Sequence, residues 1–137
     1  MIAGLKGKIE DKGLNFIEID VVGVIYKVFM AKRLLDNLVI GEELTICNYM
    51  HVREEEMSLY GFIGKDEVRL FEMLLGVSGV GPKSALMIFN ENGVEEIKGA
   101  ITRADVDFFK KVKGLGLKTA QKIIIDFTVV SGILLLL

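Results

Sequence analysis

Val77 to Ile88 reads VSGVGPKSALMI, and 35 residues further on Val112 to Ile123 reads VKGLGLKTAQKI. Gly79, Gly81, Lys83 and Ala85 of the first stretch fall on Gly114, Gly116, Lys118 and Ala120 of the second. Self-similarity at a fixed offset marks a repeated supersecondary unit, and it governs how the rest of the chain is read. Each copy runs from an apolar helical segment into a hairpin of small residues, then into Lys-Ser/Thr-Ala, which opens a second helix. Pro82 stands where a first helical position tolerates it, since the N–H it lacks has no helical partner there. The pattern is a helix-hairpin-helix, twice.

These residue types have a chemical reason. Glycine lets a ligand approach the backbone closely, and the free amides at the start of the following helix point toward an incoming anion. With Gly81 and Gly116 as N-caps, no side chain occupies those amides. Lys83 and Lys118 fall in first turns, where a cation opposes the helix dipole by about 0.3–1 kcal/mol and Asp or Glu is the stabilising choice. Both copies carry the unfavourable charge, and a bound phosphate offsets the lysine and the dipole together. The expected ligand is a phosphate backbone contacted without base edges, so binding is expected to be sequence-independent and steeply salt-dependent. GVSGVGPKS at Gly76 to Ser84 nearly matches the phosphate loop of nucleotide-binding proteins. Pro82 displaces its lysine by one position, however, and FEMLL before it continues a helical pattern instead of a buried strand. ATP binding is not expected.

Toward the N-terminus the period changes. Leu14 to Met30 alternates or runs apolar around a turn near Asp20 to Gly23, which predicts two paired strands, and Met1 to Glu10 predicts an earlier one. A short helix is expected at Ala31 to Leu38, a turn at Gly41, a fourth strand at LTICNYM and a fifth at MSLYGF. Five short strands predict a small barrel, with Gly4, Gly7 and Gly23 relieving its bends. Tyr26, Phe29 and Tyr49 lie in apolar strand patterns and are expected in its core. From about Gly64 the spacing of Val68, Phe71, Leu74 and Leu75 is helical, and helices with glycine-rich breaks continue to about Phe127. Between the last two strands, Glu54, Glu55 and Glu56 form an acidic loop. It reads either as a solvated hairpin tip or, in a DNA binder, as carboxylates that repel phosphates and keep ordinary duplex out.

The whole-chain balance hides the basic surface. The 137 residues include 17 Lys+Arg and 19 Asp+Glu, a net charge of -2. Residues 1–63 carry 7 basic and 10 acidic side chains, and residues 64–137 carry 10 and 9. Lys110, Lys111, Lys113, Lys118 and Lys122 crowd one stretch with no acid between them. A chain that is 51% hydrophobic and 26% charged, with one proline, can bury a core. The single Cys47 and single His51 rule out an internal disulfide and the usual Cys/His zinc site, and a reducing cytosol is the default compartment. MIAGLKGKIEDKG lacks the apolar stretch of a signal peptide. The uncharged run FTVVSGILLLL at Phe127 to Leu137 is far shorter than the roughly 20 residues that span a bilayer. No membrane partner is expected.

MIAGLKGKIE, GVIYKV, HVREEEMSLYGF, LFEMLLGVSGVGPKSAL and VKGLGLKTAQKII, in that order, make residues 1 to about 127 resemble the RuvA family of Holliday-junction-binding subunits of bacterial branch-migration complexes. The resemblance implies an α+β chain: an OB-fold barrel over 1–63 with an acidic pin, then an all-α tandem helix-hairpin-helix domain over 64–127. It implies a homotetramer of fourfold symmetry on which a four-way junction lies open in recombination and repair, with tetramer against octamer left open. It places DNA contacts on Val80, Gly81, Lys83 and Ser84 and on Leu115, Gly116, Lys118 and Thr119, in hairpins that include Gly79 and Gly114. The acidic pin falls on Glu54 and Glu55 after Arg53, with Glu56 extending the run. The family is non-catalytic and needs no cofactor or metal; its partner RuvB is the ATP-driven motor, and the complex is cytoplasmic. Family chains usually continue through a linker into a small helical domain that docks on RuvB. Residues 128–137 read as an apolar tail in its place, so weak coupling to the motor is expected.

Two other readings compete. A helix-hairpin-helix glycosylase or lyase would use Asp126 or a hairpin lysine, but the 74 residues after the barrel leave little room for a base-flipping pocket. Single-strand or RNA binding through the barrel needs exposed aromatic platforms, which the strand patterns do not offer.

Overall fold

A computed structural model describes residues 1–129; of the expected apolar tail, 128–137, residues 130–137 lie outside the described residues. The chain divides into two compact units, Met1–Val68 and Arg69 onward.

In the first unit, β1 (Gly4–Lys12), β2 (Phe16–Val21), β3 (Val24–Phe29), β4 (Glu43–Arg53) and β5 (Glu56–Phe62) close into a barrel in the order β1-β2-β3-β5-β4. All pairs are antiparallel except β3 and β5, which close it through Val28↔Leu59 and Phe29↔Tyr60. The inward period-two set, Leu5, Ile9, Ile17, Ile19, Val28, Ile46 and Leu59, is buried. The β2–β3 turn is Val22 (φ 51°) and Gly23 (φ 92°), both left-handed as a tight two-residue hairpin requires, and Asp20 Oδ1 accepts from the Gly23 amide at 2.8 Å. Gly7 is needed for close approach, because a Cβ there would run into the Asp20 carbonyl across the β1–β2 pair.

Tyr26, Phe29 and Tyr49 are only half-buried, against the expectation that they belong to the core. Phe29 and Tyr49 lie on the outer face of the barrel wall, with Phe29 5.6 Å from the Tyr60 ring. The Lys27 ammonium sits 4.3 Å from the Phe16 ring centroid. The apolar run predicted burial because it did not resolve which residues face inward. The short α1 (Lys32–Leu35) follows β3 and buries Leu34 and Leu35.

The helices are α2 (Lys65–Leu75), α3 (Pro82–Phe89), α4 (Val94–Thr102), α5 (Val106–Lys110) and α6 (Leu117–Val129). The units divide inside α2 because its first turn is tied back to the barrel unit. Glu67 accepts from the Gly64 amide at 3.2 Å, and its carboxylate pairs with Arg33 at 3.1 Å. The second unit packs Phe71, Leu74, Val77, Ala85, Ile88, Phe89, Ile97, Phe109, Ala120, Ile123 and Phe127 into its own core. Among the described residues, no helix is long and apolar enough to cross a membrane.

Candidate nucleic-acid interface

The repeat in the sequence is a repeat in the backbone. Gly79 and Gly114 hold φ at 92° and 89°, the left-handed conformation that turns the chain after the first helix of each copy and that a side chain would strain. The next residue's amide then closes the turn, Val80 onto the Val77 carbonyl at 3.0 Å and Leu115 onto the Val112 carbonyl at 3.1 Å. One residue further, the carbonyls of Gly81 and Gly116 accept the first helical bonds, from Ala85 at 2.9 Å and Ala120 at 3.0 Å. Gly81 is the N-cap of α3, extended at φ -93° and ψ 176°, with no side-chain cap. The amides of Gly81, Lys83 and Ser84, and of Gly116, Leu117, Lys118 and Thr119, find no acceptor among the described residues. These are the orphan donors of a helix start.

Gly81 and Gly116 differ in kind from Gly79 and Gly114. A Cβ built on either Gly81 or Gly116 meets nothing within 4 Å, and neither residue has a left-handed φ. Neither packing nor backbone conformation demands glycine there, so the open space in front of the amides is what these glycines provide. Ala85 and Ala120, by contrast, are fully buried and let each second helix sit close on the core.

Val80 and Leu115 enter this surface differently from the hairpin residues beside them. Both side chains are buried, at 6% and 7% exposure, and both amides are already used in the turns. They offer no donor and pin each hairpin to the core. Lys83 and Lys118 are exposed, and no carboxylate lies within ion-pair distance of either among the described residues. Ser84 and Thr119 are half-buried. Thr119 Oγ1 lies 3.5 Å from the position of a Cβ on Gly79, so the two hairpins are neighbours on one surface. The copies are unequal in one donor: Leu117 supplies an amide where Pro82 has none. That difference was open to the sequence, in the residue before each motif lysine.

On the barrel unit, β4 and β5 pair from Cys47↔Phe62 out to Arg53↔Glu56, leaving Glu54 and Glu55 as a two-residue turn at an exposed tip. Glu56 is separated from them: it is the first residue of β5, and its Oε1 accepts from the Ser58 hydroxyl at 2.7 Å. Among the described residues, the tip is therefore two carboxylates without an ion-pair or hydrogen-bond partner, with a third held along the strand. On the same face of the hairpin, burial first and then the Glu56 charge push the Tyr60 phenol above its ordinary value of 10.0. The segment before Gly76 is α2, so the strand that a nucleotide-binding phosphate loop requires is replaced by a helix. Asp126 is half-buried on α6.

A closed five-stranded barrel followed by a tandem helix-hairpin-helix unit with uncapped helix starts defines the class of fold. Residues 1–61 match the family described as RuvA N terminal domain, and residues 71–127 match the SAM-like helix-hairpin-helix tandem. The chain is 35% identical over 127 residues to a protein of Acetivibrio thermocellus, covering 92% of this chain and 63% of that one. It is 37% identical over 126 residues to a protein of Rickettsia canadensis (92% and 62%), and 37% identical over 127 residues to one of Herpetosiphon aurantiacus (92% and 64%). Each of these relatives is called Holliday junction branch migration complex subunit RuvA. The chain belongs to the RuvA family, and it spans less than two thirds of the length of these relatives.

Proposed function

We propose that this chain binds four-way DNA junctions by their architecture and not their sequence, as the DNA-binding subunit of a branch-migration complex. The observation that carries the reading is the pair of matching hairpins, whose uncapped amides, with lysines that have no ion-pair partner among the described residues, form an anion site twice over on one surface. Backbone amides and lysines contact phosphate and sugar, so every base sequence presents the same ligand. The relatives' shared name supports the choice of junction over plain duplex. Fourfold assembly brings four Glu54-Glu55 tips to the junction centre, where they repel phosphates and hold the arms apart. In this reading the chain itself is non-catalytic and cytoplasmic, and ATP is hydrolysed by the separate motor RuvB.

The test is a salt-controlled titration of two synthetic junctions with unrelated arm sequences. Equal affinity for both is expected, together with a steep fall in affinity as salt rises. Affinities that track the arm sequence would overturn the reading.

A further inference from the structure

We infer that the Arg33–Glu67 ion pair is a positioning device for junction recognition: it fixes the direction in which α2 leaves the barrel unit, and the preference for a junction over plain duplex depends on it while phosphate binding does not. The inference deepens the reading above and rests on it, since only a protein that sorts DNA by architecture needs its acidic tip and its hairpins to act on one DNA molecule.

The division between the two units falls between Val68 and Arg69, inside the continuous helix α2. A helix carries the orientation of its first turn along its length, so whatever holds Lys65 to Val68 aims the rest of it. Glu67 is the residue that holds them. Its Oε1 accepts from the Gly64 amide at 3.2 Å, which pins the entry of the chain into the helix, and its Oε2 accepts from Arg33 Nη2 of α1 at 3.1 Å. The first contact has a local reason, because a carboxylate at the third helical position commonly reaches back to the capping residue's amide and acids in a first turn complement the helix dipole. The second has no such reason: Glu67 caps Gly64 with or without a cation from another helix.

Stability does not account for the pair either. The Glu67 side chain is 11% exposed and that of Arg33 34%, so both charges give up hydration, and Arg33 Nε is buried without a hydrogen-bond partner. A pair in that position recovers in attraction roughly what it loses in desolvation, and apolar residues of similar volume often hold such a site as well or better. What the ion pair adds is direction, since a donor must meet its acceptor at one distance and angle while apolar contact is non-directional. Among the described residues the other ion pairs, Lys98–Glu95 at 3.8 Å and Arg103–Asp105 at 4.0 Å, join near neighbours in sequence. Arg33–Glu67 spans 34 residues and ties one helix to the start of another, at the one helix that belongs to both units.

The experiment compares the full chain with its double variant R33M/E67Q, which removes both charges, leaves the net charge unchanged, keeps similar side-chain volume and keeps an oxygen able to cap Gly64. Affinities for a synthetic four-way junction and for a linear duplex are measured at one salt concentration, beside thermal melts. The variant is expected to melt within a few degrees of the unaltered chain and to bind duplex with unchanged affinity. Its preference for the junction over duplex is expected to fall about fivefold or more, the scale of a single coupling between sites. R33Q, which leaves Glu67 in place, is expected to show the same split and serves if the double variant does not fold. A junction preference retained in a folded variant, or a lower melting temperature with both affinities falling together, would overturn the inference while leaving phosphate binding by the hairpins intact. If the unaltered chain shows no preference for the junction, the underlying reading falls as well.

Discussion

At the scale of single residues, the four hairpin glycines separate structural from functional use. Gly114 at φ 89° cannot take a side chain without strain, so Gly114→Ala is expected to destabilise the chain by about 1 kcal/mol or more, read as a lower urea midpoint. Gly81 and Gly116 sit in open space without a left-handed φ. Alanine at either is expected to leave the midpoint unchanged or raise it slightly, because it restricts the unfolded chain, while weakening junction binding by blocking approach to the amides. A destabilised Gly116→Ala protein, or one that binds junctions normally, would contradict the distinction. Lys118→Ala is expected to weaken binding to junctions of every sequence and to lower the salt slope by roughly one unit per protomer. Tyr60 supplies a test independent of DNA. Its phenol titrates higher in the folded than in the unfolded chain, so its contribution to stability is complete below pH 10 and is lost as pH rises through the raised value. Urea midpoints followed upward from pH 9 are expected to fall more steeply for the native chain than for Tyr60→Phe; parallel curves would contradict this.

At the scale of elements, the β4–β5 hairpin shows why parts of the chain were readable and others were not. LTICNYM and MSLYGF both read as strands; in the first the buried Ile46 and Asn48 alternate with less buried neighbours, whereas the second is buried without a break from Leu59 to Phe62. The structure carries β4 out to Arg53, past the end of that alternation, since the tip around Val52, which is 52% exposed, has no core to face. Tyr26, Phe29 and Tyr49 read as core for the opposite reason. An apolar run does not say which face of a barrel wall each residue takes, and these three are half-buried, Phe29 and Tyr49 on the outer face. The hairpins were legible because the repeat fixes two backbones at once and because a lysine in a helix's first turn is a local electrostatic mismatch. The anchoring role of Val80 and Leu115 was not, because burial depends on packing that no single motif contains. The acidic tip supplies the prediction at this scale. Replacing Glu54 and Glu55 with glutamine removes two exposed charges without touching the paired strand residues. Binding to plain duplex is expected to rise in a gel shift; no gain would leave the tip a solvated turn.

At the scale of the whole molecule, a closed barrel and a helical tandem together account for a chain whose net charge of -2 argues against nucleic acid. The charge balance misleads because five lysines crowd residues 110–122 with no acid between them while the acids are dispersed, with two of them exposed at one turn. The barrel's closure through only two parallel residue pairs lay beyond sequence patterning, since β3 and β5 carry no mark of partnership with each other. The repeat and the order of segments, by contrast, were sufficient for the family. The central claim is recognition of architecture, and one measurement addresses it most directly: a competition gel shift at fixed salt among a four-way junction, a linear duplex and a single strand of equal nucleotide content. The account predicts that the junction outcompetes both others, whatever the sequence of its arms. Equal competition by junction and duplex would reduce the protein to a general phosphate clamp and contradict it.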